Sequence, residues 1–118
     1  MTDEDVGDAG FIVDSAGPGT LFGVLEDSGE TGDLYVYDRA AGKVLAWVQV
    51  YVHGRRPAVS VEDVEVAWSI RQDKVAARLF GTIHAIIRLE DGASVSTGLR
   101  EQGLGIQDLH WLDGFGLS

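Results

Sequence analysis

Five carboxylates crowd the stretch Leu25-Glu26-Asp27-Ser28-Gly29-Glu30-Thr31-Gly32-Asp33-Leu34-Tyr35-Val36-Tyr37-Asp38, and no basic residue stands among them. Carboxylates at this density could do three kinds of chemistry. Hard oxygens could take calcium, paired acids could move protons at a cleft, and clustered negative charge could steer and hold a cationic partner. The calcium spacing is wrong. Asp27, Glu30 and Asp33 run Asp-x-x-Glu-x-x-Asp, without the alternating ligands and closing Glu of the helix–loop–helix site. The glycine-rich nonapeptide of calcium β-rolls is missing too. Acid–base work needs a deep pocket, for which the sequence offers no sign. A binding surface is the leading expectation, with Glu26, Asp27, Glu30, Asp33 and Asp38 as its charges and Tyr35 and Tyr37 as aromatic anchors.

Other chemistry is thinly represented. His53, His84 and His110 lie far apart and show no ligand spacing. There is no cysteine, hence no disulfide, thiolate metal site or thiol nucleophile, and no Gly-x-Ser-x-Gly elbow. Gly17-Pro18-Gly19 lacks the Lys-Ser/Thr pair of a phosphate loop. Arg55 and Arg56, the adjacent bases, could meet a partner or reach back to the acidic hairpin. No cofactor is implied, and the chain is expected to be no enzyme.

The elements that must position the acidic stretch are strands. Thr20 to Glu26 and Asp33 to Asp38 flank a turn in which Gly29 and Gly32 supply backbone freedom. In the second of these strands Leu34 and Val36 face one way, Tyr35 and Tyr37 the other. Asp38 to Lys43 reads as another hairpin turn, with Asp at its start and Gly42 near its end. Val44 to Val52 is apolar on both faces and predicts a central strand covered on both sides, so Trp47 is expected in the core, as is Trp68. Phe11 to Val13 predicts a first edge strand. Val64–Ile70, Val75–Leu79, Ile83–Glu90 and Ser94–Thr97 predict further strands, with Ile83, Ala85, Ile87 and Leu89 on one face. Ile106 to Leu112 predicts one short helix, and Trp111 within it is expected to be at least partly exposed, as a lid or contact residue. The fold class is therefore all-β, an antiparallel sandwich or partly open barrel of about seven short strands with little helix. Residues 1–9 are expected to form a disordered acidic leader, and residues 10–118 a single all-β domain.

The charge is lopsided. The net charge of −10 belongs to the first third of the chain, where residues 1–38 contain no Lys or Arg, while residues 39–118 balance acids against bases. Phosphates would be repelled, so nucleic acid and an anionic membrane are disfavoured as partners. No apolar run approaches the ~20 residues needed to cross a bilayer. The acidic start, Met1-Thr2-Asp3-Glu4-Asp5, is unlike a signal or transit peptide, and a cytoplasmic location is expected.

Glu26-Asp27-Ser28-Gly29-Glu30-Thr31-Gly32-Asp33-Leu34-Tyr35-Val36-Tyr37-Asp38 resembles the Glu-Asp-x-Gly-Glu-Thr-Gly-x-x-Tyr-x-x-Asp signature of a family of small bacterial domains of unknown function. Val50-Tyr51-Val52 and Ala67-Trp68-Ser69 resemble further segments of that family, with Asp33 standing where an aromatic residue is expected. The resemblance implies a domain of that kind and carries no activity. From the residues themselves the expected function is a non-enzymatic, immunity- or antitoxin-like protein that engages a basic protein partner through the acidic hairpin. A small-ligand binder or enzyme with carboxylates at a cleft mouth is the alternative, and a structural or housekeeping domain a further one.

Overall fold

Alternation of apolar and polar side chains builds the first sheet from four consecutive strands: β1 (Phe11–Ala16), β2 (Leu21–Asp27), β3 (Thr31–Asp38) and β4 (Lys43–Val52). The computed structural model describes residues 10–53, 59–100 and 104–116. The four strands pair antiparallel in sequence order, giving sheet A. A short 3-10 turn, Val61–Asp63, leads into sheet B, again a meander: β5 (Val64–Trp68), β6 (Lys74–Leu79), β7 (Thr82–Arg88) and β8 (Ser94–Ser96). The sheets pack face to face as a sandwich, β1 and β2 against β5, β3 and β4 against β7. Among the described residues eight strands thus stand where about seven are expected, and the all-β antiparallel sandwich is the fold.

The core lies between the sheets. Sheet A sends in Leu25, Leu34, Val36, Val50 and Tyr51, and sheet B sends in Val66, Val75, Ala77, Leu79, Ala85 and Ile87. Each large aliphatic side chain so buried contributes about 1.5–3 kcal/mol. Gly23 lets the sheets close up. A Cβ there would stand 2.5 Å from Val75 Cγ2 and 3.0 Å from Val66 Cγ1.

A second apolar cluster sits on the far side of sheet B. Ala76, Ile83 and Ile86 are covered by Ile106, with Trp111, Leu112 and Phe115 packed against them. The segment 104–116 is tied down at both ends: Ile106 N–H donates to Ile83 O at 2.9 Å, and Ile70 N–H to Gly114 O at 2.8 Å. Its helix, α1, spans only Leu109–Leu112, and Asp108 caps it by accepting from His110 N–H at 2.9 Å. The expected Ile106–Leu112 helix is thus one turn long, because Ile106 is held by the β7 backbone instead.

Two further expectations are corrected. β4 is an edge strand of sheet A, as β1 is, rather than a central one, and Trp47 is 63% exposed instead of in the core. Its register with β3 skips Val50 and Leu45, so β4 carries two extra residues. Each bulge breaks the two-residue period: Val50 and Tyr51 are both buried, Val44 and Leu45 both exposed. In sheet B the register passes from Ala77↔Ala85 to Arg78↔Ile83, skipping His84. Ile83 therefore joins the outer cluster while Ala85 and Ile87 stay in the core. Trp68 is half-buried, its Nε1–H donating to Ser15 O at 3.0 Å, and Trp111 is half-buried under the Arg88 guanidinium, 4.8 Å from its ring. The expected leader at residues 1–9 and the Arg55-Arg56 pair lie outside the described residues. Among the described residues no helix is long and apolar enough to cross a membrane.

Candidate functional site

Strand parity divides the acidic hairpin. Gly23, Leu25 and Asp27 alternate along β2 with their side chains or backbone turned to the core, so Asp27 is 4% exposed. Glu26 and Asp33, paired across β2 and β3, face outward instead. Glu30 sits in the exposed turn, and Asp38 closes the far end of β3. The five carboxylates therefore diverge, and they offer no shared metal cage. Among the described residues no group of three His, Asp or Glu side chains is placed to hold a metal ion.

Asp27 forms its own small network. Tyr51 Oη donates to Asp27 Oδ2 at 2.6 Å, His53 Nε2 lies 2.9 Å from the same oxygen, and Gly29 N–H donates to Oδ1 at 2.8 Å. Burial is the strongest single influence on this carboxyl and works to raise its pKa. The bonds from Tyr51, His53 and Gly29 together outweigh it and hold the group below the usual carboxylate range. Burial and the Asp27 charge push the Tyr51 phenol well above its ordinary value. Gly32 makes the network possible: a Cβ there would stand 2.2 Å from the Tyr51 ring, which lies flat over the glycine. The His53 ring meets Tyr51 edge-on at 5.3 Å. In chemical terms Asp27 orients an imidazole, but its two oxygens are taken up in fastening β2, the turn and the end of β4. His53 N–H also donates to Glu30 O at 2.8 Å, which closes the same end of the sheet.

The outer face carries different chemistry. In register across the four strands stand Asp14, Val24, Tyr35 and Trp47, and beside them Ile12, Glu26, Asp33 and Gln49. Tyr35 Oη donates to Glu26 Oε1 at 3.1 Å. Burial first, and the Glu26 bond and charge after it, push the Tyr35 phenol up to about 12. Burial also raises Asp33, with Glu26 adding repulsion against the restraining bond from Thr31 Oγ1. Asp38 accepts from Thr20 Oγ1 at 2.8 Å and from the Ala40 and Ala41 N–H groups, so it is held below the usual range and serves the turn. Tyr37 is half-buried opposite Phe22, whose ring lies 5.9 Å from the Arg39 guanidinium.

Of the residues the sequence singles out, the fold brings Glu26, Asp33, Tyr35 and Tyr37 onto one face, and it removes Asp27 from that face. This corrects the expectation of Asp27 as a surface charge: its parity with Leu25 was the available signal. Sequence reasoning missed Asp14, Ile12 and Trp47 as members of the face. The cross-strand register that unites them is absent from any local pattern. Val24 is the telling case, since it points outward and is yet 8% exposed, sheltered in the row between Asp14 and Tyr35.

Taken together, the fold is a two-sheet antiparallel sandwich with one acidic, aromatic outer face. No protein-family model, no curated protein and no solved structure matches the chain.

Proposed function

We propose that this chain is a non-enzymatic binding protein of the immunity or antitoxin kind, engaging a basic protein partner through the outer face of sheet A. The observation that carries this reading is Trp47, 63% exposed and in register with Tyr35 on a face bearing Asp14, Glu26 and Asp33. An exposed Trp beside half-buried Tyr side chains on a rigid strand scaffold supplies contact area with little ordering entropy. Ile12 at 60% and Leu45 at 47% exposure extend the apolar part. Carboxylates beside them favour a cationic partner and speed its encounter. Buried polar bonds behind the face, above all Tyr51 to Asp27, keep the scaffold stiff.

The test uses the intact protein as bait in host lysate, followed by binding kinetics against the captured basic protein. Trp47→Ala should weaken binding about tenfold or more, mainly by faster dissociation. Glu26→Gln with Asp33→Asn should slow association, and that loss should shrink as salt rises. Unchanged rates in both variants would overturn the assignment of this face.

A further inference from the structure

The most unusual charge in the molecule lies on the opposite sheet. Lys74 begins β6, and its parity with Ala76 places it on the outer side of sheet B, beneath the 104–116 segment. It is only 9% exposed, a rare state for lysine. Its Nζ donates one long hydrogen bond, 3.4 Å, to His110 O. The Phe115 ring lies 5.9 Å away, within cation–π range but offering no acceptor. Among the described residues no carboxylate comes within 4.0 Å of this ammonium. An ammonium has three N–H donors. A buried charge without a counter-charge is costly, and such a group points to a partner of opposite sign.

The space for that partner is present. A cleft of about 650 Å³ opens between the β5–β6 turn and the 109–116 segment, lined by Ile70, Arg71, Lys74, Leu109, Leu112 and Asp113. That volume suits a small molecule. The neighbouring cation cannot substitute for Lys74, because Arg88 is already bound to Asp91 through Nε at 3.0 Å and a terminal nitrogen at 2.8 Å. Asp73, also on the wall, accepts from Ser69 Oγ at 2.8 Å and stabilises the turn.

We infer that this cleft binds a small organic monocarboxylate with an apolar body, its carboxylate on the Lys74 ammonium and its body against Ile70, Leu109 and Leu112. Arg71, on the rim, adds a second positive charge. The acids Asp73 and Asp113 share the same wall, so a dianion such as phosphate meets about twice the repulsion that a monoanion does. The site is independent of the sheet A face and would stand if that reading failed.

NMR titration of the intact protein with hexanoate, hexanol and inorganic phosphate tests it. Hexanoate should bind saturably, shifting the amides of Lys74, Leu109, Leu112 and Asp113. Hexanol, with the same chain and no charge, should bind at least tenfold more weakly, and phosphate should not shift these amides. Lys74→Met should lose at least tenfold in hexanoate affinity. Equal binding of hexanol and hexanoate overturns the inference, as does phosphate acting at the same amides or a folded Lys74→Met that binds as before. The hexanoate–hexanol comparison needs no variant, so a misfolded Lys74→Met leaves the proposal decidable.

Discussion

Each sheet of the sandwich has an outer face, and the two meet water in opposite ways. Sheet B turns Ala76, Ile83 and Ile86 outward and roofs them with Ile106, Trp111, Leu112 and Phe115 from its own chain. Sheet A turns Ile12, Val44 and Trp47 outward and leaves them exposed. The chain has solved the problem of an apolar outer face once, with a strap of about a dozen residues held by two backbone bonds. Exposed apolar surface on the other sheet is therefore a feature that the molecule carries alongside a demonstrated means of avoiding it. On the proposed reading, a binding role is what accounts for such a face.

The comparison breaks most directly through stability. Ile86→Ala empties a site that is fully buried under the strap and should cost about 2–5 kcal/mol in denaturant unfolding. Trp47→Ala, in spite of removing the larger side chain, should stay within about 0.5 kcal/mol. Similar losses from the two would mean that the outer face of sheet A is packed after all.

Next in size is the buried carboxylate behind the open face. Asp27→Ala strands the Tyr51 hydroxyl and the His53 ring and should cost about 3 kcal/mol. The pH dependence has a definite sign. The folded state holds this carboxyl below its unfolded value, so its stabilisation is full above the ordinary carboxylate range and fades as pH falls through and below about 4. Unfolding midpoints measured from pH 7 to pH 3 should drop in the native protein and drop less in Asp27→Asn.

Fluorescence sharpens the contrast without altering the fold. Among single-tryptophan variants, the one retaining Trp47 should be quenched by acrylamide most efficiently, with Trp68 and Trp111 both less accessible. Equal quenching of all three would contradict the open outer face of sheet A on which Trp47 stands.

The smallest effect has the opposite sign. Asp33 is held above its ordinary value by burial and by Glu26, so its ionisation at neutral pH works against the folded state. Asp33→Asn should raise stability slightly, by less than about 0.5 kcal/mol after solvent screening, and the gain should vanish below about pH 4. Asp27 and Asp33 thus share one hairpin and oppose each other in their response to acid.

Much of the fold was legible because local rules sufficed. Leu34 and Val36 against Tyr35 and Tyr37 and the Asp38–Gly42 turn follow from alternation and turn chemistry, and the strands of the β5–β6 pair from alternation alone. β4 was misread for a physical reason. A strand apolar on both sides resembles a buried one, and composition cannot distinguish a second face packed by protein from one left open to water. The bulges at Leu45 and Val50 have no signature in residue type either. At the candidate face, the residue types were visible, but the register that sets Trp47 beside Tyr35 depends on the whole sheet. Asp27 shows the limit from the other side, since five acids in one short stretch read as one cluster until the pleat divides them.

The two bulges of β4 also bear on how this protein behaves when crowded with its own copies. An edge strand ten residues long, with Lys43 as its one charge and with open backbone donors and acceptors, is the usual template on which chains stack into fibrils. Here the regular ladder between the bulges runs only from Ala46 to Gln49. That is shorter than the six- or seven-residue segments that form steric zippers. Trp47 stands in water on a strand that offers a neighbouring copy only a short, interrupted ladder.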